Sequence, residues 1–176
     1  MPTTYSVRSS DALIADFKSI LVYRRTTDQA LPNIDTPANV MGSIVSNDVT
    51  AVTVNGTGLA TFQKKMLIYM DIKLIGGRTG GVGSGRVFAR LLVNNVPLTN
   101  FENVLVFDQA STNNYFAGVV CSCFLDVAVN DTLRVQAWPD SGGGGTSILY
   151  AAPCAFTGTN AASHIFDLCE VNQNLS

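Results

Sequence analysis

Short apolar runs that alternate every second residue, cut at intervals by Asn, Gly and Pro, recur along this chain of 176 residues and limit what it can fold into. Such alternation puts one set of side chains on each side of an extended strand, whereas a helix needs apolar residues three or four positions apart. KSILVYRR, GLATFQ, MLIYMDIKLI, RVFARLLVNN, NVLVF, YFAGVVCSCFLDV, TLRVQAW, TSILYA and SHIFDLCEV all read as strands. Between them stand Asn55 with Gly56, Asn94 with Asn95, Asn113 with Asn114, and Asn130 with Asp131, residue types suited to tight turns. SSDALIADF, capped by Ser10, could form a turn or two of helix, and an extended arm is the equal reading. Many short strands without helical periods between them predict an all-β protein, a sandwich or a barrel.

Composition points the same way. The acidic residues are eleven Asp and only two Glu, and Lys is held to four, so the charged residues that favour helices are nearly missing. The length suits one domain with a sizeable core and is too short for two ordinary ones. Charged residues make up 14% of the chain, against about 25% in typical globular proteins, which predicts that a partner covers some of the outer surface.

A net charge of −2 and a pI near 5.2 argue against a nucleic-acid partner, whose affinity would rest on clustered Lys and Arg. The first eighteen residues hold only Arg8 and Lys18 as cations, so they form no basic arm. They also lack the basic start and apolar run of a secretory signal. Asp71 and Lys73 interrupt the longest apolar segment, and no membrane span is expected. A soluble chain made in the cytoplasm is the expectation.

GGRTGGVGSGR, residues 76–86, packs six glycines into eleven residues after an apolar segment. A phosphate loop would need a Lys followed by Ser or Thr after its last Gly, and then a helix. Here Gly81 is followed by Val82, and RVFARLLV alternates as a strand does. The dinucleotide pattern fails as well, because Arg86 stands where the third Gly belongs. A mobile hairpin loop is the expectation. Cys121, Cys123, Cys154, Cys169 and His164 match no standard zinc spacing, and reduced thiols acting as small hydrophobes are expected instead. Any Ser-His or Cys-His chemistry would have to use His164, the single histidine, which a structural role explains better. Asp108, Asp131 and Asp140 suit turns, and no dense acidic loop for calcium occurs. No enzyme, cofactor or metal site is expected.

The order QALPNIDTPANVMGSIV, GLATFQKKMLIYMDIKL, FARLLVNNVPL, FLDVAVNDTLRVQAW and SHIFDLCEV, over residues 18–172, resembles the complement globular head and tumour-necrosis-factor-like jelly roll. The chain departs from that pattern in showing neither a signal peptide nor a collagen-like stalk, and in carrying KKMLIYM where a Gly and aromatic pair is usual. The resemblance implies an antiparallel jelly-roll sandwich of about ten strands in residues 18–176, preceded by an arm in 1–17, and assembly as a homotrimer. It also implies that the sheet built from the first, third, sixth and last major strands faces the threefold axis. Those strands are apolar on both faces, while TLRVQAW and RVFARLLVNN carry polar residues on one, as a sheet with one wet face does. The expected trimer interface is Tyr23, Leu67, Tyr69, Phe116, Val120, Phe124, Phe166 and Leu168. Loops at 76–84, 108–114 and 139–145 would form a polar crown for any glycan or receptor contact.

A complete jelly roll with a short arm, no secretion signal and no stalk favours a virion protein, a trimeric cement or decoration module on a capsid. Tyr5, Val7, Leu13, Ile14 and Phe17 of the arm are its expected docking residues. A trimeric receptor- or glycan-binding knob of a virus or phage fibre is the alternative. A major capsid protein is disfavoured by the missing basic arm.

Overall fold

The computed structural model describes residues 15–31, 36–79, 85–107, 115–139, 146–149 and 163–173. These contain thirteen strands and no helix. In chain order they begin with β1 (Ala15–Arg25), β2 (Gln29–Ala30), β3 (Ala38–Asn39), β4 (Ser43–Asn47), β5 (Val52–Val54), β6 (Ala60–Phe62) and β7 (Met66–Thr79). They continue with β8 (Gly85–Val93), β9 (Val96–Phe107), β10 (Tyr115–Val127), β11 (Thr132–Pro139), β12 (Thr146–Leu149) and β13 (His164–Gln173).

All pairings are antiparallel and fall into two sheets. In the larger, β4, β1, β13, β7 and β10 lie side by side, and β12 follows β13 along the same edge of β7, carrying β2 beyond it. The smaller runs β5, β6, β11, β8, β9, with β3 on β11. This is the expected all-β jelly-roll sandwich, drawn with thirteen strands rather than about ten because short segments such as β2 to β5 carry too few residues to show a period.

The core lies between the sheets. Leu21 and Tyr23 of β1, Ile68, Met70, Ile72 and Leu74 of β7, and Phe166 and Leu168 of β13 face Phe62, Val87, Leu133, Val135 and Ala137 of the smaller sheet, all buried. Fully burying an aliphatic or aromatic side chain of this size stabilises by about 1.5–3 kcal/mol, so this layer drives the fold. β11 alternates as its sequence predicts, with Leu133, Val135 and Ala137 inward and Thr132, Arg134 and Gln136 outward. Its outer face is closed by polar pairing. The Arg90 guanidinium donates to Gln136 Oε1 at 2.8 and 3.0 Å and lies over the Trp138 ring, and Gln136 donates to Asn39 Oδ1 at 3.1 Å.

The turns follow their residues. Asn94 and Asn95 both adopt left-handed φ angles, 53° and 66°, and close the hairpin between β8 and β9. Asn130, at φ 69°, turns β10 into β11. Asn94 Nδ2 donates to Asp131 Oδ1 and Asn94 Oδ1 accepts from the Thr132 amide, both at 2.8 Å, which locks these two turns together. The Ala128 amide and Asn94 hold the Asp131 carboxyl below its usual range.

Two expectations change. Gly76 to Thr79 are the end of β7 rather than a loop, because Gly77 pairs with Tyr115 on one side and Ile148 on the other, leaving its backbone satisfied on both edges. β1 starts at Ala15, so Phe17 belongs to the sheet and not to an arm, and the last part of the candidate helix is strand. Residues 80–84, 108–114 and 140–145, the remaining crown, lie outside the described residues.

Gly58 has φ 75°, and a Cβ there would meet the Val40 carbonyl oxygen at 2.4 Å. Gly58→Ala is therefore expected to cost at least about 1–3 kcal/mol. Gly56→Ala, with nothing within 4 Å, is the control and should stay within about 0.5 kcal/mol of the parent. Urea unfolding at fixed protein concentration checks both; equal losses would show that the Gly58 backbone is not the constraint.

Candidate functional site

The outward face of the larger sheet is organised by register into three rows. Ser19, Cys169, Tyr69 and Phe124 pair successively across β1, β13, β7 and β10. Two residues along, the row is Val22, Asp167, Asp71 and Ser122, and beyond it Arg24, Ile165, Lys73 and Val120. Cross-strand partners share a face, so these rows form one surface.

The aromatic rings gather at the first row. Phe17, two residues from Ser19 on β1 and opposite Val171, meets Tyr69 edge-on with ring centroids 5.8 Å apart, and Tyr69 lies 5.2 Å from Phe124. Phe17 and Phe124 remain 48% and 58% exposed, which is a large apolar area for the middle of a sheet face. The second row is acidic. Asp71 and Asp167 are direct cross-strand partners, Ser122 Oγ donates to Asp71 at 3.0 Å, and Lys73 pairs with Asp71 at 3.0 Å. Burial, and then the neighbouring Asp71, raises the Asp167 carboxyl pKa. The hydrogen bond to Asp71 raises that of Lys73. Burial, and then Asp167, raises that of the Cys169 thiol.

This register corrects the expected interface. Leu67, Tyr69 and Phe124 lie outward, Leu67 and Tyr69 half-buried. Tyr23, Phe166 and Leu168 do not join them. Phe166 pairs with Tyr23 and Ile72, and Leu168 with Met70, so all three point into the protomer's own core. The outward residues of β13 are instead Ile165, Asp167 and Cys169. Alternation separated the two faces of β7, β11 and β13 correctly, but in β1 a bulge between Ser19 and Leu21 puts Ile20 in the core beside Leu21, and only pairing decides which faces of neighbouring strands coincide. Val120 falls in the third row by register; Phe116 belongs to β10, and neither side chain is among those described. Tyr5, Val7, Leu13 and Ile14 lie outside the described residues.

His164 and Ser163 are both fully buried at the start of β13. Ser163 Oγ lies 3.2 Å from His164 Nδ1 and also faces the Arg25 and Thr27 carbonyls, while His164 Nε2 has no hydrogen-bond partner. The imidazole stacks on Phe166 at 5.3 Å, near Tyr23. Sealed in this way, the pair offers no atom to a substrate. Burial, and then the Arg25 charge, lowers the His164 pKa to about 4, with the Met41 backbone opposing weakly. Cys123 packs against the core and Cys169 lies on the outer face, so the two thiols occupy opposite sides of the sheet. Among the described residues no three His, Cys, Asp or Glu side chains are grouped to hold a metal ion.

Solved structures that this fold resembles include tumour-necrosis-factor-like and complement globular-head jelly rolls. Murine APRIL at pH 5.0 superposes with a TM-score of 0.51 at 9% identity, over 88% of this chain and 99% of that one. The globular domain of zebrafish complement 1qA gives 0.48 at 14% identity, over 89% and 99%. Eiger TNF from S. frugiperda gives 0.48 at 11%, over 91% and 95%. No family model matches the chain, and no curated protein matches its sequence. The likeness is one of fold.

A histidine buried neutral binds its proton more weakly folded than unfolded, so its contribution to stability is complete above the ordinary value of 6.5 and is lost as pH falls towards 4. The loss should reach about 3 kcal/mol over that window. Urea unfolding of the parent and of His164→Phe across the same range tests this. The variant should give the flatter curve, and parallel curves would assign the acid sensitivity to other groups.

Proposed function

We propose that this chain acts without catalysis, as a homotrimer that buries the aromatic and carboxylate rows of the outward face of its larger sheet around a threefold axis and leaves the Arg24 end of that face open, and that the trimer is a cement or decoration module of a virion. The observation that carries the trimer is the Phe17, Tyr69 and Phe124 cluster, exposed on a sheet whose other face already packs the core. On the smaller sheet Arg90, Gln136, Asn39 and Trp138 pair with one another on the outer face, although Arg134 Nε there is buried without a described partner. The likeness to tumour-necrosis-factor-like and complement globular-head folds supports the same reading. The decoration role rests on the low charge of the chain and the apolar residues Tyr5, Val7, Leu13 and Ile14 ahead of β1.

Light scattering after size exclusion should return three times 18.7 kDa, and a monomer at micromolar concentration would overturn the trimer. Tyr69→Glu and Phe124→Glu should each give a folded monomer, because an unpaired charge would be buried only on assembly. Tyr23→Glu should instead prevent folding. For the decoration role, a variant lacking residues 1–14 should still assemble but fail to rebind particles stripped of the native protein. Rebinding at full strength would remove that role and leave the trimer standing.

The carboxylate row adds a pH dependence. Covering Asp167 beside Asp71 raises its pKa further, so the assembled form holds the proton more tightly and assembly strengthens as pH falls. Asp167→Asn should assemble more tightly than the parent at neutral pH and respond less to acid. An unchanged pH response in the variant would show that the row stays hydrated.

A further inference from the structure

Where β1 ends, the turn into β2 and the segment entering β4 enclose a cleft of about 540 Å³. Arg24, Arg25, Thr26, Thr27, Gly42, Ser43 and Val45 line it, and none of these described residues is acidic. Consecutive strand residues normally diverge to opposite faces, so two adjacent arginines reach one cleft only because the strand stops here.

The Arg25 guanidinium is held in place by neutral acceptors. Its Nε donates to the Thr27 carbonyl at 3.2 Å and to Thr27 Oγ1 at 3.1 Å, and its Nη1 donates to the Met41 carbonyl at 3.4 Å. These bonds fix the plane of the fork through neutral acceptors, and among the described residues none engages Nη2. The ion pairs among the described residues are Lys18 with Asp48, Lys64 with Glu170 and Lys73 with Asp71, so neither Arg24 nor Arg25 is paired with a described carboxylate. The buried His164 behind the cleft feels the Arg25 charge, which helps to hold its imidazole neutral.

Gly42 makes the approach of the two chain segments possible. A Cβ there would meet the Arg24 carbonyl oxygen at 2.7 Å and His164 Nε2 at 2.9 Å. With hydrogen in its place, the backbone crosses closely over His164 and brings Ser43 into register beside Arg24. The Gly42 amide is already used, donating to the Tyr23 hydroxyl. What the bonds among the described residues leave for a ligand are the Arg24 guanidinium, the Nη2 end of Arg25 and the hydroxyls of Thr26 and Ser43.

The geometry points to a binding site for an oxyanion, a carboxylate, sulfate or phosphate, held by Arg25 as the fixed donor and by Arg24 as the exposed cation that closes over it. The Arg24 guanidinium and the Nη2 end of Arg25, with hydroxyl donors beside them, match the oxygens of such a group, and charge-assisted bonds of this kind are about twice as strong as neutral ones. The volume exceeds that of a bare ion, so the cleft also admits an organic ligand bearing the group.

His164 is the single histidine, so its ring signals in nuclear magnetic resonance report on the cleft without ambiguity. Sulfate, inorganic phosphate and glucuronate are titrated separately into the full chain against sodium chloride at matched ionic strength. A bound oxyanion should cancel part of the Arg25 charge and raise the His164 pKa, with a saturable shift of its resonances. Saturation by sulfate or phosphate alone identifies an inorganic ion or its ester, and saturation by glucuronate alone identifies a carboxylate. Arg24→Gln and Arg25→Gln should each weaken binding by about tenfold or more. Arg25→Gln should also raise the His164 pKa without any ligand. Arg24 makes none of the bonds that anchor Arg25, so its variant remains informative should Arg25→Gln fail to fold. Responses no larger than those to chloride, or binding unchanged in Arg24→Gln, would overturn the site.

Discussion

The register of β13 between β1 and β7 is the constraint on which the larger sheet depends. It places Phe166 and Leu168 in line with Tyr23, Ile72 and Met70, and so fills the core with large apolar side chains from three adjacent strands. It also puts Asp167 and Cys169 outside. A slip of one residue would exchange the two sets and bury Asp167 without a partner among apolar groups, a cost of several kcal/mol. The outward carboxylate pair and the aromatic row therefore follow from how the core packs.

The two outer surfaces of the sandwich differ in how completely they are satisfied. On the smaller sheet, Phe88 stacks on Trp138 at 5.6 Å and Arg90 joins that ring to Gln136, so apolar area and polar groups cover each other. On the larger sheet, aromatic rings stand beside solvent and two carboxylates share one lysine. That asymmetry, within a fold shared with tumour-necrosis-factor-like domains, is why assembly through the larger sheet is the function we favour. The corner near His164 is built differently. Tyr23, Gly42, Ser163 and Arg25 use nearly all their polar atoms to hold β1, β13 and the entry to β4 together, and the Arg25 charge faces the cleft.

The sequence was legible wherever a side chain decides its own local geometry. Asn94, Asn95 and Asn130 took up the turns their short polar side chains favour, and TLRVQAW divided its residues between water and core as its alternation required. The glycine segment was harder to read. Gly76 and Gly77 lack the side chains that mark a strand, yet they pair because β10 and β12 present complementary edges to them. The arginine pair of the cleft carried no periodic signal, and only the close approach of Gly42 gave it a partner surface.

By itself, then, the sequence determined that the chain is all-β, where most strands lie, and which residues oppose one another within a regular strand, because a period of two is a property of a single extended segment; the bulge at Ile20 in β1 broke that period. Tertiary structure alone decided which of the two apolar faces of β1, β7 and β13 becomes core. Both faces carry similar apolar character, so single-strand alternation cannot rank them. The choice is made by hydrogen-bonded register with neighbours that lie, for β1 and β13, at opposite ends of the described chain. That is why Tyr69 and Phe124 remain at the surface while Tyr23, Phe166 and Leu168 belong to the interior.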